Sequence, residues 1–371
     1  MKKKIGLLTF SYSSNPGSVL QAYALQQVLS EKMSCDAHII NYQKQQAGKP
    51  IIGETVFMRP LRNWTPKNII KWIIRIIEHP IRMMPYKKFF NKFYNGYPTK
   101  RCLRKELSSL EEKYDKFIVG SDQVWNFDSW NVDETYFLDF VKDGSKKISY
   151  AASLGNTDIP QAKRDIAQKL ISEFSNISVR ESASVETITK LTGKDATLVL
   201  DPSLLMSKER YMELATFSKQ KNYVLLYLRE DSPELEAAAR KFAHSRNLDF
   251  VKILKHWKCS VNGKASKGLS PQQWLGYINN ADYVITNSFH GICFSIIFEK
   301  QFYVDVLKKV STSTNPRMTC LLELFGLQAR KFDHTGSSCD LEPIDYTKVN
   351  KIKDDMIEKS LNYLENSLKM G

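Results

Sequence analysis

The chain has 371 residues, 42% of them hydrophobic and 25% charged, the make-up of a water-soluble globular protein with room for two ordinary domains. Its six cysteines, Cys35, Cys102, Cys259, Cys293, Cys320 and Cys339, follow no Cys-x-x-Cys spacing, which argues for reduced thiols and against a zinc site or a disulfide framework. Net charge is +14, and +9 of it falls within residues 65–106, where eleven Lys and Arg meet two Glu. A local acidic partner fits that distribution better than nucleic acid bound along the whole chain.

No apolar run reaches the ~18 residues of a membrane span. Met1–Phe10 opens with three lysines, and its apolar run is too short for a secretory leader; Ile5–Phe10 is expected as a first strand. A helix over Val19–Lys32 follows, with Leu20, Tyr23, Ala24 and Val28 on one face, and then a strand over Ala37–Tyr42. This β-α-β run begins a doubly wound sheet. In the intervening loop, Asn15-Pro-Gly17, the glycine suits either a plain turn or close approach to a ligand.

Residues 43–110 interrupt the pattern. Asn68–Glu78 is rich in Ile around a stripe of Lys67, Lys71, Arg75 and Glu78, and Phe89, Phe90 and Phe93 then alternate with Lys87, Lys88 and Lys92. Two readings fit: a basic amphipathic helix on an anionic membrane surface, with Trp72 and the phenylalanines at the lipid, or a helical insertion packed on the core with a solvated basic edge.

The sheet pattern resumes at Phe117–Val119, followed by the polar turn Gly120-Ser-Asp-Gln123, in which Asp122 either accepts a proton from a hydroxyl or caps the next turn. Lys147–Ala152 is another strand. The strand from Ile177 ends in Arg180, which either seats an anion or pairs with Glu181, and Ser182–Thr192 reads as a helix. Leu198–Leu200 closes the first half at Asp201. A second series runs through strands Tyr223–Leu228, Asp249–Leu254, Tyr283–Ile285 and Phe302–Val306, with helices Glu234–Arg246, Pro271–Asn279 and Gly291–Phe298. The expected domains are 1–210, with a basic helical insertion at about 43–110, and 218–371, with a final helix near Asp354–Met370 and a hinge near 206–221. The expected class is α/β, two Rossmann-like doubly wound domains facing a cleft at the carboxyl ends of their strands.

The turn Thr286-Asn-Ser-Phe-His290 lies at such a strand end. A helix starting there aims free N–H groups and a positive dipole end at any anion, while His290 carries a proton. Capping by Asn287 or Ser288 followed by a partly buried histidine fits the same residues.

Taken together, Asn15-Pro-Gly-Ser-Val-Leu-Gln-Ala-Tyr-Ala-Leu-Gln26, Phe117-Ile-Val-Gly-Ser-Asp-Gln-Val-Trp-Asn126, Ser149–Gly155, Ser178-Val-Arg-Glu-Ser182, Leu200-Asp-Pro-Ser203 and Thr286-Asn-Ser-Phe-His-Gly291 resemble the polysaccharide pyruvyl transferase family. The resemblance implies a GT-B-like fold. It also implies transfer of the enolpyruvyl group of phosphoenolpyruvate to a sugar of a capsule, exopolysaccharide or cell-wall glycan precursor, as a pyruvate ketal. Where some members carry Arg two residues before the His, this chain has Ser288, which leaves Arg180 and Arg317 as the guanidinia for the donor.

On that footing His290 is the expected general acid and Asp122 the base. Arg180, Ser288, Phe289, Gly291 and Arg317 are expected at the donor, and Asn15, Gly17, Ser121 and Gln123 at the acceptor. No metal or cofactor is expected beyond phosphoenolpyruvate as co-substrate. The expected partners are a sugar acceptor, including a lipid-linked oligosaccharide, and an anionic membrane surface, but no nucleic acid. The expected location is cytoplasmic, peripheral at the inner membrane face. A GT-B glycosyltransferase using a nucleotide-sugar and a catalytically inactive membrane-surface protein are the competing readings.

Overall fold

Two mainly parallel sheets, both wrapped by helices, divide the chain. The computed structural model describes residues 2–42, 45–46, 49–50, 66–96, 101–128, 132–254, 258–261, 263–266, 269–306, 316–332 and 342–369. The N-terminal sheet comprises β1 (Lys4–Leu8), β2 (Asp36–Ile39), β3 (Lys116–Val119) and β4 (Lys147–Ser149), all parallel in the order β2-β1-β3-β4. β5 (Ile177–Val179) and β6 (Ala196–Leu198) pair with each other, and parallel bridges from Ile148 to Asn176 and from Ala152 to Val179 join them to β4.

The C-terminal sheet comprises β7 (Tyr223–Leu228), β8 (Asp249–Leu254), β9 (Lys258–Val261), β10 (Lys264–Ser266), β11 (Tyr283–Thr286) and β12 (Gln301–Val304). Its order is β10-β9-β8-β7-β11-β12, parallel except for the hairpin strands β9 and β10. Strands covered on both faces read as continuous apolar runs, and β7, Tyr-Val-Leu-Leu-Tyr-Leu, is buried throughout. In each sheet the strand order reverses beside the first strand, between β1 and β3 and between β7 and β11. Open α/β sheets bind ligands at the carboxyl side of such points.

The helices are α1 (Pro16–Glu31), α2 (Pro66–Phe93), α3 (Arg164–Ser172), α4 (Ser182–Thr192), α5 (Pro233–Ser245), α6 (Pro271–Asn280), α7 (Phe289–Ile297), α8 (Pro316–Leu324) and α9 (Tyr346–Lys369), besides shorter pieces. One such piece, Lys208–Leu214, occupies the expected hinge and buries Tyr211. α1 and α7 begin two or three residues before the expected positions, because Asn15 and Ser288 act as caps. The Asn15 side chain accepts from Gly17 N at 3.1 Å, with Pro16 at the first position, where an N–H is dispensable. Ser288 Oγ accepts from Gly291 N at 3.4 Å.

One apolar cluster runs through both halves, from Ile5 and Leu25 through Leu204 and Leu205 to Phe294 and Leu368. α9 straddles them. At its start Tyr346 Oη donates to Ser295 O at 3.2 Å; further on Tyr363 Oη donates to Ser149 O at 2.8 Å, and Ser360 Oγ accepts from Leu200 N at 3.0 Å.

The second half of the insertion helix α2 turns its aromatic residues inward. Met83, Tyr86, Phe89, Phe90 and Tyr94 are buried, with Phe89 against Tyr23 at 5.8 Å and Phe90 against Tyr12 at 5.5 Å between ring centroids. Lys87, Lys88 and Lys92 are exposed. From Met83 to Tyr94 this is the packed insertion with a solvated basic edge; the side chains of Asn68–Glu78 and of the stripe Lys67, Lys71, Arg75 and Glu78 lie outside the described residues. Phe89 and Phe90 are committed to the core and are not offered to a lipid surface; the Trp72 side chain lies outside the described residues. Among the described residues no helix is long and apolar enough to cross a membrane.

Candidate active site

Side chains from the carboxyl ends of strands in both sheets meet at one buried cluster. After β3 comes Ser121-Asp122, after β5 Arg180-Glu181, after β6 Asp201, and after β11 Ser288-Phe289-His290. The start of α1, after β1, adds Gly17 and Ser18.

Arg180 is the hub, 7% exposed. Its Nε donates to Glu181 Oε1 at 3.0 Å, and its Nη1 donates to Asp201 Oδ2 at 2.9 Å and to Ser121 Oγ at 3.2 Å. Its Nη2 lies 3.8 Å from Asp122 Oδ1, and the guanidinium carbon sits 4.1 Å from the centroid of the Phe289 ring. Burial works against the cation, but Glu181, Asp201 and Asp122 outweigh it and hold its proton more firmly than usual. Ser121 Oγ in turn donates to Asp201 Oδ2 at 2.7 Å, and Asp201 Oδ1 accepts from Ser203 N at 3.0 Å and Ser203 Oγ at 2.6 Å.

Asp122 has φ +77°, a left-handed backbone that costs a non-glycine residue about 1 kcal/mol or more. It accepts from Ser18 Oγ at 2.6 Å and from Gln123 N at 2.9 Å. Burial alone would raise its pKa. Arg180, His290 and these two hydrogen bonds prevail and lower it to about 2.

His290, 5% exposed, lies within the first turn of α7 rather than before it. Its Nε2 is 3.8 Å from Asp201 Oδ2. Burial pushes the imidazole below its ordinary pKa, against the pull of Asp201 and Asp122, and the Arg180 and Arg317 cations push the same way as burial. The ring packs on Gly17 so closely that a Cβ there would lie 2.3 Å from His290 Cγ. Thus a helix start in one half leaves room for the histidine of the other. At the helix start expected to aim free N–H groups at an anion, those of Gly291 and Ile292 are bonded within the helix to Ser288 Oγ and, at 3.1 Å, to Ser288 O.

Two buried polar atoms of this cluster, Arg180 Nη2 and His290 Nε2, have no hydrogen-bond partner among the described residues. Burying such groups unmatched costs about 1–3 kcal/mol each. The first lies 3.8 Å from Asp122 Oδ1 and the second 3.8 Å from Asp201 Oδ2, and a ligand bearing acceptor oxygens would satisfy both.

Arg317, on α8, is the second guanidinium. Burial, aided by Arg180, lowers its pKa to about 10. With the Gln123 amide turned so that its oxygen faces the guanidinium, that oxygen accepts from Arg317 Nη2 at 3.0 Å. Asn126 adjoins Gln123 at 2.7 Å, and Gly155, with φ +81°, brings its backbone against both side chains.

The structure therefore brings together His290, Asp122, Arg180, Phe289, Ser121 and Gly17 in one network, with Arg317 and Gln123 beside it. Asn15 and Ser288 serve as helix caps, and Gly291 packs on Thr286. Donor-side and acceptor-side residues interleave; fully buried Ser121 is part of the support of Arg180 rather than an outer surface. Asp201 and Ser18 carry no role in the sequence reading, although both lie in quoted motifs; Glu181 enters it only as the alternative partner of Arg180, and the structure shows that pair. Among the described residues no group of three or more His, Cys, Asp or Glu could hold a metal ion.

The fold and this cleft define a GT-B-type α/β protein. The UDP-GlcNAc 2-epimerase of Methanocaldococcus jannaschii superposes with a TM-score of 0.51 at 11% identity, each chain covered in full. The enzyme of Rickettsia bellii gives 0.46 at 11% identity over 98% of each chain, and that of Neisseria meningitidis 0.43 at 11% identity over 98% of this chain and 100% of its own. These likenesses concern the fold alone. No curated protein matches in sequence. The sequence profile of polysaccharide pyruvyl transferases matches residues 15–304, and the chain belongs to that family.

Proposed function

We propose that this protein transfers the enolpyruvyl group of phosphoenolpyruvate to two hydroxyls of one sugar in a polysaccharide precursor, releasing phosphate and leaving a pyruvate ketal. The observation that carries this reading is the pair of unmatched buried atoms, Arg180 Nη2 and His290 Nε2, at the meeting point of the two sheets. A small ligand with two anionic groups suits Arg180 and the neighbouring Arg317, and the planar guanidinium fork matches carboxylate and phosphate oxygens.

In the proposed reaction, imidazolium His290 gives its proton to the methylene carbon of phosphoenolpyruvate, and C2 becomes electron-poor. One sugar hydroxyl adds to C2 and returns its proton to the imidazole. The C2–O bond to phosphate breaks with its electron pair, and the second hydroxyl closes the ring, its proton leaving with phosphate. In the ligand-free protein burial favours neutral His290; the donor's negative charge supplies the pull that protonates it. A carboxylate held at about 2 is a weak base, so we assign Asp122 to keeping Arg180 charged and to supporting the His290 imidazolium once the donor is bound, in place of the base role expected from sequence. Asp201, between Arg180 and His290, positions both.

Phosphoenolpyruvate should raise the melting temperature while UDP-sugars leave it unchanged, and phosphate should appear only when phosphoenolpyruvate and a suitable glycoside are both present. Stabilisation by UDP-sugars alone would favour a glycosyltransferase. The rate should fall as pH rises, because the protonated imidazole is the active form. kcat/KM, which reports the free protein, should fall at lower pH than kcat, since burial lowers the imidazole pKa there and the donor raises it.

A further inference from the structure

We infer that Tyr150, Tyr211 and Ser360, whose hydroxyls lie behind the cleft, are positioning residues that fix Asp201 and, through it, His290. The inference rests on the pyruvyl-transfer reading for the reaction it serves, but the placement of the imidazole can be read without turnover.

Asp201 stands where the chain leaves the N-terminal sheet. Val199 N still donates to Val179 O of β5, at 3.0 Å. Leu200 N donates instead to Ser360 Oγ of α9 at 3.0 Å, and Leu200 O accepts from Tyr150 Oη, just after β4, at 3.0 Å. Both backbone groups of the residue before Asp201 are thus held by side chains. The Ser360 hydroxyl gives its own proton to Met356 O at 2.7 Å, so its oxygen meets Leu200 N as an acceptor.

Beyond Asp201 the chain makes the tight turn Pro202–Leu205, which Asp201 caps. The Asp201 carbonyl accepts from Leu204 N at 2.9 Å, while its Oδ1 accepts from the backbone and hydroxyl of Ser203. Tyr211 Oη anchors this turn by donating to Ser203 O at 2.9 Å. Tyr150, Tyr211 and Ser360 are all fully buried. The backbone is therefore pinned on both sides of Asp201, by residues from three separate elements.

This pinning decides what Asp201 presents. Its Oδ1 is spent on the turn, and its Oδ2 faces Ser121, Arg180 and His290. The 3.8 Å from Oδ2 to His290 Nε2 is too long for a hydrogen bond, so the carboxylate acts on the imidazole by charge. Between buried groups that force is little screened, and a shift of the backbone at Leu200 or Ser203 is felt at the ring. The same α9 bonds Ser295 of α7 through Tyr346, so one helix holds both the chain that carries the carboxylate and the helix that carries the histidine.

The test compares Tyr150→Phe, Tyr211→Phe and Ser360→Ala with Tyr223→Phe, all in the full chain. Tyr223→Phe removes a phenol bond to Tyr277 O at the amino end of β7, opposite the cleft. Ring nitrogen resonances of His290, assigned by their loss in His290→Gln, should move in the first three variants and stay in place in Tyr223→Phe. In those three kcat should fall about tenfold, short of the roughly 10²-fold of a 1 Å misplacement, and should fall more than phosphoenolpyruvate affinity. The alkaline limb of kcat/KM should shift to lower pH. Asp201 then loses part of its upward pull on the imidazole, while Asp122, Arg180, Arg317 and burial keep theirs. If Ser360→Ala loses stability, Ser360→Thr keeps the hydroxyl and should return the resonances and the rate toward wild type. Unmoved His290 resonances in stable variants, or a rate loss that Tyr223→Phe shares at equal melting temperature, would overturn the inference. Resonances that move in a protein that never turns over phosphoenolpyruvate would leave the positioning intact and remove the pyruvyl-transfer reading.

Discussion

The two helix starts at the centre of the molecule, Asn15-Pro-Gly17 after β1 and Ser288-Phe-His290 after β11, are built alike. Each follows a buried parallel strand, each is capped by a polar side chain, and each lies beside the point where its sheet reverses order. They differ in what they present. One offers a bare backbone and the other an imidazole, and the second fits because the first has no side chain. Neither turn is a candidate site by itself; the contact between them, braced by Arg180 and the acids around it, is the candidate site.

The largest break in that comparison is His290→Gln, which keeps the turn and removes the proposed acid. Turnover should fall by about 10²–10⁴-fold at unchanged melting temperature; near wild-type turnover in a stable variant would remove the histidine from the chemistry. Next comes Gly17→Ala. A Cβ 2.3 Å from His290 Cγ must displace the imidazole, and misplacement by about 1 Å costs roughly 10²-fold in rate. Stopped assays should show kcat falling more than donor affinity, and an alanine variant with full activity would show that the two turns are not matched.

A third test concerns the carboxylate that joins them. Asp122 has a folded-state pKa of about 2 against 3.8, so its ionised form contributes about 2 kcal/mol of stability. That contribution is complete above the unfolded value and is lost as pH falls through the folded one. Melting curves between about pH 5 and pH 2 should steepen in the wild type relative to Asp122→Asn. Identical acid profiles would mean that Asp122 is not held by Arg180, His290 and Ser18. The smallest effect belongs to Phe289→Leu, which removes the ring beside Arg180 at 4.1 Å. Phosphoenolpyruvate affinity should drop by about 1 kcal/mol, read by calorimetry; no change would make Phe289 packing only.

Where periodicity and burial agree, the sequence reading is close. Tyr223–Leu228, Asp249–Leu254 and Ser182–Thr192 have the bounds expected of them. It starts α1 and α7 late because Asn-Pro-Gly and Asn-Ser-Phe look like loops until the caps are recognised as helix starts. It does not foresee α8, or the hairpin of β9 and β10, whose residues lack a strong apolar period. In α2 the mixture of Lys and Phe admits either a lipid or a core, and only the contacts of Tyr23 and Tyr12 with Phe89 and Phe90 decide.

By itself the sequence determined the α/β class, the succession along the chain of the strands with a strong apolar period, and the strand ends that carry polar residues, because these depend on local period and on turn chemistry. It also carried the family, through motifs spread along the chain. Only the tertiary structure decided that Asp201 lies between Arg180 and His290, that Ser121 is internal, and that Gly17 faces an imidazole 273 positions away. Such relations depend on distances between strand ends far apart in sequence. So do the pKa values of the groups concerned, since burial and neighbouring charge act through space and not along the chain.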